Sequence, residues 1–187
     1  MILKLILWTS FVGIIAFFCQ KQLSSQIIVM QQSVFIAGRT KMDVYEYFKD
    51  VRNSMKNTQY GDTVSKIVYI PGVGGEADRI KFNQLETFSI QGLYEQTLES
   101  PCIAKLYPDT PKIQLELNLF EGLMIGTVNI LFKEDSKDGN TGTTVTQYFE
   151  LVTPNFFANF IEAHTKSRYK VFLEHAQTRL QDFATET

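Results

Sequence analysis

The chain is poor in the residue types that build disulfide frameworks and metal sites. Its 187 residues include two cysteines and two histidines. Cys19 lies in an apolar N-terminal run, which leaves Cys102 alone and excludes a disulfide framework or a cysteine zinc site. His164 and His175 are eleven residues apart, about 16 Å along a helix, so they cannot share one metal. We therefore expect neither a metal nor another cofactor.

An excess of one charge is also missing. Lysine and arginine total 18 against 20 acidic residues, a formal net charge of -2. No block of basic residues stands out, so we expect no nucleic-acid partner. No GxSxG motif is present, and nothing else in the sequence marks a catalytic nucleophile.

The stretch IPGVGGEADRIKF, at 70–82, crowds Gly72, Gly74 and Gly75 into four positions. A phosphate-binding loop needs GxxxxGK[ST] between a strand and a helix. Here no Lys-Ser or Lys-Thr follows the glycines, and the next segment has the pattern of a strand. We therefore interpret the three glycines as turn residues that supply positive φ.

The N-terminal segment forms a separate unit, which we assign to residues 1–20. Its uncharged run, 5–20, is 16 residues long and as a helix would span about 24 Å, less than the roughly 30 Å of a bilayer core. We expect a single membrane anchor flanked by Lys4 and Lys21. The alternative is a signal peptide whose cleavage releases a secreted domain. Residues 21–32 are expected to be a connector.

The body, 33–187, is mostly β in pattern. SVFIAG predicts a strand, and Thr40 with Asp43 predicts the start of a helix. TVSKIVYI and DRIKFNQLE predict two further strands. PKIQLELNLF alternates apolar and polar residues most clearly, and LMIGTVNILFKED and TTVTQYFELV continue an antiparallel meander. From 156 to 183 neither proline nor glycine interrupts a long helix, whose apolar face shifts along its length.

This order of elements resembles the helix-grip fold of the START/Bet v 1/polyketide-cyclase superfamily. PGVGGEADRIKF is similar to the glycine-rich loop of plant Bet v 1-like proteins, and GLYEQTLESP with GTTVTQYFELV resembles the polyketide-cyclase/lipid-transport branch. The resemblance covers 33–183. It implies an α+β domain in which a curved antiparallel sheet wraps the C-terminal helix around a hydrophobic cavity. The N-terminal hydrophobic helix departs from the family pattern.

The resemblance implies a non-catalytic module that binds a lipid, sterol or isoprenoid. Transfer of this ligand is a second role that the resemblance allows. The inward positions of the strands and of the last helix are expected to line its cavity: Phe82, Leu115, Leu117, Leu119, Met124, Val128, Tyr148, Phe157, Ile161 and Phe172. Gly72, Gly74 and Gly75 are expected at the cavity rim. If the parity of a strand is shifted by one residue, its inward residues become outward and its outward residues become inward.

Two alternatives belong to other functional classes. The first is a polyketide cyclase- or dehydratase-like enzyme that uses Glu95, Tyr94 or His164 in the same cavity. The second is a domain with a filled interior that only contacts other proteins. His164 and Arg168 lie on one helix face, which we interpret first as a solvated face and second as polar groups inside the cavity.

Overall fold

The structure is a computed structural model that describes residues 24–56, 63–90, 94–119, 122 and 124–182. Seven strands and three helices follow one another in these ranges. They are β1 (Ser25–Ala37), α1 (Lys41–Lys49), α2 (Val51–Lys56), β2 (Thr63–Ile70), β3 (Asp78–Ile90), β4 (Tyr94–Tyr107), β5 (Lys112–Leu119), β6 (Met124–Lys137), β7 (Asn140–Pro154) and α3 (Asn155–Asp182). The predicted α+β class with a long C-terminal helix is confirmed.

All seven strands form one antiparallel sheet in the order β1-β7-β6-β5-β4-β3-β2. Strands β2 to β7 are a meander, and β1 returns to pair with β7 along its whole length. The β6–β7 hairpin closes through Asp138 and Gly139, both at positive φ, as a two-residue hairpin loop requires. The turn of this hairpin is therefore two residues long, and strand pairing continues up to Lys137 and Asn140.

The first strand begins earlier than the sequence predicted. Residues 25–32 are the first half of β1 and not a connector, with Ile28 and Met30 buried against the core. Gln31 and Gln32 interrupt the apolar alternation in the sequence, and this hid the strand. Pairing with β7 supplies the stabilisation that the local pattern does not show.

Strand β4 contains a proline and continues beyond it. Pro101 lies within β4, opposite Asn83 of β3. The pairs between β4 and β5 start one residue later, at Cys102. Proline is tolerated in a strand where one side makes no ladder hydrogen bonds, so Pro101 fits at the point where β5 joins the sheet.

The short helix α1 begins at the predicted cap. Thr40 Oγ1 accepts a hydrogen bond from the backbone N–H of Asp43, and the Asp43 carboxylate accepts one from Thr40 N. This reciprocal pair satisfies two N–H groups at the helix start. The buried face of α1 places Phe48 edge-on against Phe132 of β6 and Phe172 of α3, with ring centroids 5.6 Å and 5.5 Å apart. Helix α1 thus closes one end of the space between the sheet and α3.

Helix α3 is fixed along the β1 edge of the sheet by side chains that reach across to backbone carbonyls. Gln32 Nε2 donates to Lys166 O at 2.8 Å, Arg39 Nε to Leu180 O at 2.8 Å, and Gln177 Nε2 to Phe35 O at 2.7 Å. An exposed strand edge tends to pair with other chains, and α3 covers this one. The same bonds hold one side of α3 in place, and its Tyr169 packs on Phe149 of β7.

The membrane anchor expected at 1–20 lies outside the described residues. In the ranges that the structure describes, no helix is long and apolar enough to cross a bilayer.

Candidate functional site

Two internal cavities lie between α3 and the sheet. The space in which the centre of a water molecule fits is about 40 Å³ in the first and about 30 Å³ in the second. The first is lined by Phe48, Lys49, Val51, Phe82, Gln84, Ala104, Ile113, Leu115, Ile130, Gln147, Arg168, Tyr169 and Phe172. The second is lined by Leu117, Leu119, Met124, Phe149, Leu151, Ile161, His164, Thr165, Arg168 and Tyr169.

Arg168 and Tyr169 line both cavities and therefore lie between them. Tyr169 packs edge-on against Phe149 of β7, with ring centroids 4.4 Å apart, and against Phe172 at 6.3 Å. These two side chains of α3 therefore form part of the wall of each cavity.

Polar groups are concentrated at the first cavity. Gln147 of β7 is 1% exposed, and its Oε1 has no hydrogen-bond partner among the described residues. Gln84 of β3 is also buried and accepts a weak hydrogen bond from the Cys102 thiol at 3.9 Å. A buried amide needs partners to offset its lost hydration, so this end of the cavity suits a polar group.

Arg168 brings a positive charge into the interior. Its side chain is 6% exposed, and its Nη1 lies 3.4 Å from His164 Nε2. His164 is half-buried, and this burial lowers the pKa of its imidazole because the charged form is poorly solvated there. His175 is exposed. The cavity interpretation of His164 and Arg168 therefore fits the structure better than a solvated face.

Seven of the ten predicted lining residues lie at the cavities. Phe82, Leu115 and Phe172 line the first. Leu117, Leu119, Met124 and Ile161 line the second. Their contact with a ligand remains a prediction. Val128 is fully buried in the core and lines neither cavity.

The inward orientation expected of Tyr148 and Phe157 is corrected by the structure. Both side chains are on the surface, 40% and 36% exposed. In β7 the inward residues are Gln147 and Phe149, so the inward set of this strand is shifted by one residue from the predicted set. At the start of α3 the buried positions are Ala158 and Ile161, which turns Phe157 outward.

The glycine loop between β2 and β3 is a turn, as predicted. Gly74 and Gly75 have φ of +66° and +90°, and a Cβ on Gly72 would lie 2.0 Å from the carbonyl oxygen of Glu76. Asp78 accepts hydrogen bonds from Gly72 N, at 2.8 Å, and from the Tyr69 hydroxyl. These bonds lower the pKa of its carboxyl group. The three glycines line neither cavity, and their rim role remains a prediction.

The enzyme alternative rested partly on residues that the structure does not characterise. The side chains of Tyr94 and Glu95 lie outside the described ones. Of the described residues, none form a group of three or more metal-ligating side chains.

Sequence reasoning missed the polar residues of the first cavity, Gln84 and Gln147, and the dividing residue Tyr169. The two glutamines share their strands' inward parity with Phe82 and Phe149. Correct parity would have identified them, but a glutamine at an inward position carries no hydrophobic signal.

Comparisons with known proteins place the fold. No family model matches the chain, and no curated protein matches it. Solved structures do match. The di-domain ARO/CYC StfQ from the steffimycin biosynthetic pathway superimposes with a TM-score of 0.60 at 12% identity. The match covers 85% of this chain and 52% of that one, so this chain spans about half the length of StfQ.

Two further solved structures match over nearly their whole length and have the same fold. TTHA0849 from Thermus thermophilus has a TM-score of 0.57 at 13% identity, over 86% of this chain and 100% of that chain. Truncated norcoclaurine synthase from Thalictrum flavum has a TM-score of 0.54 at 13% identity, over 85% and 96%. Identities this low establish the fold and not the activity. The chain therefore has the helix-grip fold of the START/Bet v 1-like superfamily, as its sequence resemblance predicted.

Proposed function

We propose that the protein binds an apolar small molecule of the lipid, sterol or isoprenoid class between α3 and the sheet, without catalysis. The supporting observation is the pair of apolar cavities that share Arg168 and Tyr169. A ligand placed there gains about 25 cal/mol for each Å² of apolar surface removed from water. The fold in general accommodates hydrophobic ligands, and this supports the same function.

The cavities are smaller than such a ligand, so binding requires the interior to open. Helix α3 is held by hydrogen bonds to β1 and by one from Arg39, two residues after β1, so we expect its opposite side to move. Outward movement of Tyr169 and Arg168 joins the two cavities, and separation of α1 from α3 at the Phe48–Phe172 contact enlarges the first.

The polar groups orient the ligand. Gln84, Gln147 and Arg168 all contact the first cavity, whereas the second is mainly aliphatic and aromatic. A ligand with one polar end would place that end beside the two amides and its hydrocarbon part toward Leu117 and Ile161. A few polar groups on an apolar wall are typical of sites that select orientation.

A titration with two fluorescent probes, a sterol and a fatty acid, tests this proposal. We expect the full-length protein to bind at least one of them in a saturable manner. Leu117→Arg, which puts a charge into the second cavity, and Ala104→Leu, which fills the first, should each weaken binding at least tenfold.

The matched control is Asn118→Arg, which adds the same side chain at the neighbouring exposed position. Equal affinity in all four proteins would overturn the proposal, provided that circular dichroism shows each of them folded. Ala104→Leu keeps the test valid if Leu117→Arg does not fold.

An enzyme of the cyclase class is the second candidate. His164 is half-buried at the second cavity with Arg168 beside it, and a neutral imidazole suits a general base. Norcoclaurine synthase, a structural neighbour, is by its name an enzyme. The bound small molecule would then change mass on incubation. His164→Asn would abolish this change while retaining binding.

We further propose that residues 1–20 anchor the folded domain in a membrane. The alternative remains a signal peptide followed by a secreted protein. Extraction of the expressed full-length protein with alkaline carbonate distinguishes them. An anchored protein stays in the membrane fraction at full mass, whereas a soluble, shortened product contradicts the anchor.

A further inference from the structure

An exposed aromatic cluster lies on the first two turns of α3. Phe156, Phe157 and Phe160 are 49%, 36% and 54% exposed, and the rings of Phe156 and Phe157 contact each other with centroids 4.4 Å apart. We call these three residues the α3 aromatic cluster. Three large apolar side chains exposed together, as opposed to singly, are typical of an interaction surface.

The N-terminal segment leaves the domain beside this cluster. Asn155, which precedes Phe156, donates from its backbone N to Ser24 O at 2.9 Å and from Nδ2 to Ser24 Oγ at 2.6 Å. The uncharged run ends at Gln20, four positions before Ser24, and four residues reach at most about 14 Å. The chain that carries the apolar run therefore enters the described domain at Ser24, beside the start of α3.

The length of that run favours immersion of the cluster. Sixteen residues as a helix would span about 24 Å, about 6 Å less than a bilayer core. A short span is accommodated by local thinning of the bilayer or by snorkelling of its flanking residues, and either keeps the residues that follow the span close to the interface. The part of the described domain beside Ser24 is the α3 aromatic cluster.

The charges around the cluster permit contact with lipid. From Asn155 to Ile161 the sequence has no charged residue. The nearest carboxylate along the helix, Glu162, forms an ion pair with Lys166 at 2.5 Å. Exposed apolar rings on an uncharged helix turn suit the interfacial region, and no isolated charge must be desolvated there.

The cluster also touches the wall of the second cavity. The Phe160 ring stacks on His164 with centroids 5.7 Å apart and planes 13° apart. His164 and Ile161 line that cavity from the inside. A surface immersed at Phe160 therefore lies one side chain away from the proposed ligand space.

We propose that the α3 aromatic cluster inserts into the lipid bilayer interface and places the second cavity against the membrane. The proposal rests on the membrane anchor proposed above for residues 1–20, and it takes the membrane as the occupant because the chain enters the domain at Ser24, in contact with Asn155 next to the cluster. The other occupants, the N-terminal segment itself and a second copy of the chain, are outcomes of the test.

The test measures where the cluster lies in the full-length protein. A polarity-sensitive dye is attached at Phe160→Cys in a Cys19→Ser, Cys102→Ala background, and the protein is reconstituted into phosphatidylcholine nanodiscs. The matched control carries the dye at Thr178→Cys, an exposed position on the same helix. The two sites are 18 residues apart, or about 27 Å.

We expect the dye at position 160 to be quenched several-fold more by lipids with acyl-chain nitroxides than the dye at position 178, and to be shielded from iodide. Strong iodide quenching at both positions overturns the proposal. Shielding from iodide without nitroxide quenching also overturns it, because the N-terminal segment or a second copy then covers the cluster. Phe157→Cys is the substitute site if Phe160→Cys does not fold. The result does not depend on ligand binding, so it can fail while the proposed function holds.

Discussion

At the scale of single residues, the interior of this protein differs from a plain hydrophobic core at a few positions. Gln147 and Arg168 are buried beside the cavities, where an apolar residue of the same size would pack at lower cost. The Gln147 Oε1 has no hydrogen-bond partner among the described residues, and the partner proposed for it is the polar end of a ligand.

Replacement of Gln147 by leucine tests that role. Since its Oε1 has no partner among the described residues, the substitution removes a buried amide without removing a hydrogen bond seen in the structure. We expect the free energy of unfolding of the ligand-free protein to rise by about 1 kcal/mol, with weaker binding of a polar-ended ligand. Urea denaturation measures the first effect. Tyr148→Leu, on the outward face, is the control, and a clear loss of stability in Gln147→Leu would contradict this role.

The pH dependence of stability tests the burial of His164. Burial lowers its pKa in the folded state below the ordinary value of 6.5, so the unfolded chain binds the proton first as pH falls. The contribution of His164 is therefore fully present above pH 6.5 and is lost as pH falls from there toward the lowered folded pKa. In His164→Asn this part of the decline should disappear, whereas the exposed control His175→Asn should retain it. Urea titrations between pH 8 and pH 5 measure both, and identical curves for the two variants would contradict the prediction.

At the scale of elements, the local sequence pattern predicted most of the helices and strands. It failed where strand pairing determines the extent of a strand, and where the parity of a strand determines which side chains point inward. Thr40 and Asp43 predicted the start of α1 because capping is a local interaction. The first half of β1 was missed because its glutamines break the alternation, and pairing with β7 holds it in the sheet. Tyr148 is predicted to point inward, but the parity of the sheet places its polar neighbour Gln147 inside instead.

The extent of β1 gives a direct prediction. Ile28 is buried and Ile27 is exposed, so alanine should cost about 2–4 kcal/mol of unfolding free energy at position 28 and less than about 0.5 kcal/mol at position 27. Chemical denaturation of the two variants measures the difference. Equal, small effects would show that residues 25–32 are the connector that the sequence predicted.

The loop between β2 and β3 gives another prediction. Gly74 and Gly75 adopt positive φ with open space around them, so alanine at either position should cost about 1–2 kcal/mol through backbone strain. Gly72→Ala should cost more, because its Cβ would meet the Glu76 carbonyl at 2.0 Å. Thermal denaturation with and without ATP measures these effects. ATP stabilisation that is abolished by Gly74→Ala would restore the phosphate-loop interpretation.

At the scale of the whole molecule, the fold fixes α3 on one side and leaves its other side free to move. Hydrogen bonds from Gln32, Arg39 and Gln177 join α3 to the β1 side. The cavities lie between α3 and the sheet, where α1, α2 and the strands β3 to β7 supply the other walls. The order of elements in the sequence predicted this architecture through its resemblance to the helix-grip fold. The division of the interior by Arg168 and Tyr169 was beyond prediction, since it depends on how α3 is rotated against the sheet.

The most direct test of ligand binding is mass spectrometry of small molecules extracted from the full-length protein after gentle purification from a eukaryotic host. Leu117→Arg and its surface control Asn118→Arg are purified in parallel. We predict a stoichiometric lipid, sterol or isoprenoid in the original protein and in Asn118→Arg, and its absence from Leu117→Arg. An empty extract from folded, monodisperse original protein would contradict the binding function and favour the enzyme or the protein-interaction alternative.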